Sequence, residues 1–269
     1  MKRIAIYYFS GTGNSFAVAR DLSEKLDAHL ISVSSLINQE SIAAEADLVG
    51  FVFPIYDFKP PALIGQFIRK LKSIELKYIF AVCTCGLTTS HSLKFLEKEI
   101  KNSGGRLSAG FAVHMPHNGV GSGAASESKH EQMFENWKMK CEEICAYVRA
   151  ENEGRIESSS VFFTYFEPWV IRMLPSAFKL LAIMLLRGVN ALAFAPDARC
   201  NGCGICEKIC PLQNIEITRG KPVWGDNCVS CFACLHCCPM ESISLGGYDM
   251  NIRIYHHPDV KITDLMKRK

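Results

Sequence analysis

YYFSGTGNSFAVAR, Tyr7–Arg20, sets two glycines, two serines, a threonine and an asparagine between an apolar run and a segment with helical spacing. Residues 4–9 before it are apolar and β-rich. Residues 15–27 after it put Phe16, Val18, Ala19, Leu22 and Leu26 on one helical face. A polar turn that ends a strand and opens a helix is where a doubly wound sheet offers backbone N–H groups to a ligand. Two phosphate loops fail on inspection: a Walker loop needs G-K-[ST], and a dinucleotide fingerprint needs a third glycine where Phe16 stands. What remains is a run of donors, Ser10, Thr12, Asn14 and Ser15, with Gly11 and Gly13 permitting a tightly curled backbone. Such a cradle holds a dianionic phosphate through neutral hydrogen bonds and the positive end of a helix, without a lysine.

The same alternation continues outward. Short apolar runs at 29–33, 48–53, 78–83 and 107–113 are separated by helical patterns at 62–71, 90–101 and 127–148. Continuous rather than alternating apolarity marks strands covered on both faces, so the expected fold is α/β, a doubly wound five-stranded parallel sheet with four or five helices. Cys141 and Cys145 share a helical stripe with Phe134, Trp137, Ile144 and Val148 and read as core, as does Cys83. Residues 151–160 are polar and small and read as a linker. The expected domains are 1–153, a helical connector over 154–194, and a small α+β domain over 195–269.

Apolar residues make up 48% and charged ones 21% of 269 residues, an ordinary globular composition. The formal net charge of +3 gives no concentrated basic field, so nucleic-acid binding has no support. No secretory signal is visible at the start, and a cytoplasmic, reducing compartment suits thiolates kept for metal. The most apolar stretch, 169–195, is broken by Arg172, Lys179 and Arg187 too often for a transmembrane helix.

Nine of the thirteen cysteines lie between Cys200 and Cys238. CNGCGICEKICP and CVSCFACLHCCP repeat one another: Cys200, Cys203, Cys206, Cys210 and Pro211 recur as Cys228, Cys231, Cys234, Cys238 and Pro239. Each copy reads C-x2-C-x2-C-x3-C-P, the spacing of bacterial two-cluster ferredoxins, which this part of the chain resembles. That resemblance implies one [4Fe-4S] cluster on Cys200, Cys203, Cys206 and Cys238 and a second on Cys228, Cys231, Cys234 and Cys210, with Cys237 left over. Structural zinc is the competing reading, although zinc sites pair two CxxC units across a longer gap and have no use for the third cysteine.

The turn at 10–15 is similar to the [ST]-x-T-G-N-[ST] phosphate loop of flavodoxins. The resemblance implies FMN at the sheet edge, its phosphate on Ser10, Gly11, Thr12, Gly13, Asn14 and Ser15. The ring would then be gripped by FPIYDFKPP (53–61) and CTCGLTTS (83–90), through Pro54, Tyr56, Thr84, Cys85 and Gly86, with Tyr56 stacking on one face. The second loop has no tyrosine at its tip, which leaves one face open or covered by another part of the chain. HMPHN, His114–Asn118, is a candidate cover, and His114 and His117 read either as hydrogen-bonded loop residues or as proton donors.

As a whole the chain resembles the flavodoxin–ferredoxin fusion proteins of anaerobic bacteria and archaea. That implies electron transfer between FMN and two clusters, as a carrier or adaptor for redox protein partners. Two other functions stay open: an FMN-dependent reductase of a small molecule fed by its own clusters, and an iron–sulfur redox sensor. Val161–Phe194 reads as a packing bridge, a docking face for a redox partner, or a helix lying on a membrane surface.

Overall fold

A computed structural model describes residues 2–56, 59–86, 88–89, 91–118, 127–158, 194–245 and 254–266. The apolar runs form β1 (Ile4–Tyr8), β2 (His29–Ser32), β3 (Leu48–Pro54), β4 (Tyr78–Cys85) and β5 (Leu107–His114), all paired in parallel. Their spatial order is 2-1-3-4-5, the doubly wound arrangement whose ligand crevice lies between β1 and β3, at the C-terminal ends of the strands. Four main helices cover the sheet: α1 (Asn14–Leu26), α2 (Ala62–Lys70), α3 (Ser92–Asn102) and α4 (Glu127–Arg149).

Two cores result, one per face. Val18, Leu22, Trp137, Cys141, Ile144 and Cys145 bury α1 and α4 against Ile6, Val52, Phe80 and Phe111. Leu63, Phe67, Leu93 and Leu96 of α2 and α3 pack on Tyr7, Phe51 and Phe53. Cys83, Cys141 and Cys145 are buried, as their apolar neighbours in sequence imply.

The stretch expected to be a linker is tied to the sheet. Gly110 N–H donates to Arg155 O (2.8 Å) and Glu157 N–H to Gly110 O (2.9 Å), so residues 154–157 cover the open edge of β5, which would otherwise present unpaired backbone groups. The Glu157 carboxylate accepts from Ala112 N–H (2.8 Å) and Lys140 Nζ (2.6 Å) and pairs with Arg155. Polar composition looked like a boundary because these side chains serve an ion network rather than a core.

The cysteine-rich part is built twice. A loop, a short helix and a strand occur as α5 (Ile205–Ile209) with β7 (Ile215–Thr218), and again as α6 (Ala233–His236) with β9 (Ile243–Leu245). β7 pairs with β8 (Lys221–Trp224) in a hairpin, and β9 pairs with β6 (Phe194–Pro196), both antiparallel. The backbone repeats with the sequence: left-handed residues Gly202, Gly204 and Gln213 match left-handed Ser230, Phe232 and Glu241. A last helix, α7 (Ile262–Met266), follows residues 254–261, which lie against α1 and α4. Ile209, Cys231, Ala233 and Cys237 join the core on the α2/α3 side, so the two parts share apolar packing. Most of Val161–Phe194 falls outside the described residues.

Candidate functional site

A cleft of ≈ 820 Å3, partly open to solvent, lies at the C-terminal ends of β1, β3 and β4. Ser10, Gly11, Thr12, Asn14, Ser15, Pro54, Tyr56, Thr84, Cys85 and Gly86 line it, so ten of the eleven candidate flavin-site residues come together there. Gly13 stands just behind, in the left-handed region at φ +103, where it turns the chain into α1 and donates its N–H to Ser10 Oγ (3.2 Å). No acidic residue occupies the first turn of α1 and no side chain caps it; the helix therefore presents its N-terminal donors to whatever fills the cleft.

The polar side chains are held by one another. Ser15 Oγ and Thr84 Oγ1 share a hydrogen bond (2.7 Å) that ties the first loop to β4. Thr12 Oγ1 accepts from Asn118 Nδ2 (3.0 Å), which leaves its own hydrogen to point into the cleft. Asn14 lines the cleft and also braces its walls: its Nδ2 donates to Pro116 O (2.9 Å) and its Oδ1 accepts from Tyr255 O–H (2.6 Å). Its carboxamide ties three segments together and keeps a second N–H.

The loop after β5 also reaches the cleft. Met115, Pro116, His117 and Asn118 line the cleft, with Met115 N–H donating to Cys85 O (2.9 Å). His117 rests on Gly86, where a Cβ would come within 2.5 Å of its ring, and burial holds its pKa below the ordinary imidazole value. His114 is exposed and does not line the cleft; its Nδ1 stands 3.7 Å from Cys85 Sγ. Burial pushes the Cys85 thiol up to about 12, so it is a neutral thiol facing the cleft, not a nucleophile. Ile55 and Thr88 also line the cleft; both sit inside the two loops singled out from sequence, where only their neighbours had a chemical reason to be named.

The cysteine repeat surrounds two further pockets. One is lined by Cys210, Cys228, Cys231 and Cys234, the other by Cys200, Cys203, Cys206 and Cys238. These are the two crossed quartets, three cysteines from one copy and the fourth from the other. In the first pocket the buried Trp224 indole N–H is directed at Cys234 and tempers the upward push that burial exerts on that thiol. Backbone N–H groups point at sulfur, Asn214 at Cys210 Sγ (3.3 Å) and Ser230 at Cys228 Sγ (3.4 Å). Among the described residues no three His, Cys, Asp or Glu groups converge as they would on a single ion; the thiols stand around a space instead.

Residues 5–117 match a family model described as a flavodoxin domain, and the strand order and the polar turn after β1 agree with that match. The N-terminal region is a flavodoxin-like domain. Solved structures similar to the chain include a WrbA-like flavodoxin from Agrobacterium tumefaciens, at 15% identity over 56% of this chain and 100% of that one, with a TM-score of 0.37. A flavoprotein from Bacteroides uniformis is similar at 19% identity over 50% of this chain and 98% of that one, TM-score 0.35. The rubredoxin oxygen:oxidoreductase of Desulfovibrio gigas is similar at 15% identity over 56% of this chain, which spans 37% of that longer protein, TM-score 0.37. No curated protein matches the sequence. Among the described residues no helix is long and apolar enough to cross a membrane.

Proposed function

We propose that this chain is an electron-transfer protein, holding FMN in the cleft of the flavodoxin-like domain and two [4Fe-4S] clusters on the cysteine repeat, and exchanging electrons with partner redox proteins. The observation that carries the reading is the junction between the halves. A Cβ built on Gly11, in the phosphate loop, would lie 2.6 Å from the carbonyl oxygen of Cys231 and 3.2 Å from its Cβ. The loop that would hold one cluster thus touches the loop that would hold the flavin phosphate.

The residues fit these groups. The cleft supplies the Thr12 hydroxyl and the N-terminal N–H groups of α1 for a phosphate, and Tyr56 and Pro54 for the ring. Each cysteine pocket offers four thiols around a space, and the first adds a buried indole N–H directed at one of them, a donor suited to sulfur. FMN supplies exchange of electrons in pairs or singly, and the clusters supply single-electron exchange. The protein's part is to orient them and exclude water: Ser15 and Thr84 fix two of the flavin loops against each other, Cys85 stays protonated beside the ring position, and Cys231 and Cys234 are buried.

Anaerobically reconstituted protein should carry about eight irons and one releasable FMN per chain. Stoichiometric zinc in place of iron, or no yellow chromophore after FMN is added, refutes the reading. A second function, reduction of a small molecule at the flavin, is favoured by one observation: Tyr56 and His117 line the same solvent-open cleft. It predicts FMN-dependent turnover of an added acceptor that falls when His117 is replaced.

A further inference from the structure

Segment 254–266 lies behind the cleft, against the phosphate loop. His257 N–H donates to Thr12 O (2.9 Å), and Arg20 reaches Asp259 O (3.1 Å). A Cβ on Gly13 would meet His257 Cβ at 3.0 Å and Val260 at 3.2 Å. Tyr255 joins two routes into the cleft. Its hydroxyl donates to Asn14 Oδ1, and Asn14 passes the connection on to Pro116 O. Its backbone N–H donates to His236 Nδ1 (3.2 Å), which leaves the proton on Nε2, and that nitrogen meets Asn118 O at 2.8 Å. Asn118 in turn donates to Thr12 Oγ1.

We propose that this segment is a strap that completes the FMN site, with Tyr255 and His236 as positioning residues, so that FMN affinity depends on the folding of the cysteine-rich half. The inference rests on the FMN reading above. His236 ends α6, a single turn that contains Cys234 and stops two residues before Cys238, and a helix so short holds its shape only while the loop around it does. Metal binding to such loops is coupled to their folding. When the loop is ordered, His236 orders Asn118 and Tyr255, and these orient Thr12 and Asn14 on the two sides of the phosphate loop. Tyr255 is also packed edge-on by His130 (5.5 Å), which fixes its ring against α4.

The test is anaerobic FMN titration, followed by flavin fluorescence, of cluster-loaded wild type and Tyr255→Phe. The variant removes one hydroxyl and leaves the ring. It should bind FMN up to about tenfold more weakly, the range of one net hydrogen bond, at unchanged iron content. In an Asn14→Ala background the same substitution should add little, because its partner is already gone. Iron-depleted wild type should also bind FMN more weakly than loaded protein. Equal FMN affinity of Tyr255→Phe and wild type, even with a lowered melting temperature, overturns the strap while leaving the FMN reading standing. Equal affinity of loaded and iron-depleted protein overturns the dependence on the cysteine-rich half. Failure of wild type itself to bind FMN overturns both readings.

Discussion

Gly11→Ala is the sharpest probe of how the two halves meet. Gly11 is not among the residues with positive φ, so its backbone suits alanine; what excludes a methyl is space. The added Cβ would stand 2.6 Å from Cys231 O and 2.6 Å from Tyr56 Oη, far inside van der Waals contact. The tyrosine hydroxyl ends a side chain and can swing away. The Cys231 carbonyl is backbone within a loop pinned by neighbouring cysteines, so the two loops must separate by several tenths of an ångström. Overpacking of this kind costs about 1–3 kcal/mol. Taken wholly from flavin binding, that is a weakening of roughly 5- to 150-fold. Gly220→Ala is the matched control: Gly220 has φ +75 and nothing within 4 Å of its Cβ position, so it carries a backbone cost without a clash and lies in the β7–β8 turn, outside the cleft lining. Anaerobic FMN titration with parallel iron analysis separates them. Gly11→Ala binding FMN within twofold of wild type, with iron intact, would show that the loops do not touch and would remove the main support for the functional reading.

Further outcomes follow from single contacts. Glu157→Ala removes the acceptor shared by Ala112 N–H and Lys140 and should lower the unfolding free energy by about 1–3 kcal/mol in a denaturant titration, leaving FMN and iron bound. Cys85, held as a thiol by burial, should resist alkylation in folded protein at pH 8, and Cys85→Ala should keep FMN affinity; rapid modification would contradict the thiol assignment. Burial holds the His257 imidazole down at about 4, Arg20 and His256 acting with it and Asp259 and Asp21 against it. The neutral ring therefore supports folding above about pH 6.5, and that support drains away as pH falls towards 4, so stability should drop across this window and less so in His257→Asn. Exchange within the repeat should be unequal: Gly202→Ser should destabilise the iron-loaded protein by about 2–4 kcal/mol, while Ser230→Gly should be near neutral, both read from denaturant midpoints.

The flavodoxin-like half was legible because each of its elements carries its own signal. β1, β3, β4 and β5 are short, mostly apolar runs, and α1 to α4 keep their buried residues at helical spacing, so strand and helix limits from sequence fall within a few residues of those observed. The site was legible for the same reason: the crevice of a doubly wound sheet lies where its strand ends do, and the loops that follow β1, β3 and β4 could be read off in order. What escaped was whatever depends on contact between distant residues. Asn14 is legible as a residue of the polar turn, but its second task, accepting from the Tyr255 hydroxyl 241 positions away, leaves no trace in the sequence around it. The edge-covering role of residues 154–157 was hidden by polar composition, since hydrogen bonds to Gly110 need no apolar side chain.

The cysteine repeat shows where a pattern stops being symmetric and why. Gly202 and Ser230 occupy equivalent left-handed positions, at φ +72 and φ +51, yet only the first is glycine. A Cβ on Gly202 would lie 2.6 Å from the carbonyl oxygen of Gly220, at the tip of the β7–β8 hairpin that follows the first copy. In the second copy β9 pairs with β6. Ser230 carries the dihedral cost of its left-handed φ, of order 1–2 kcal/mol, and its N–H is directed at Cys228 Sγ. Both loops share one backbone course, and the hairpin tip against the first is what excludes a side chain at Gly202; the second loop is the one that lies against Gly11 and the cleft.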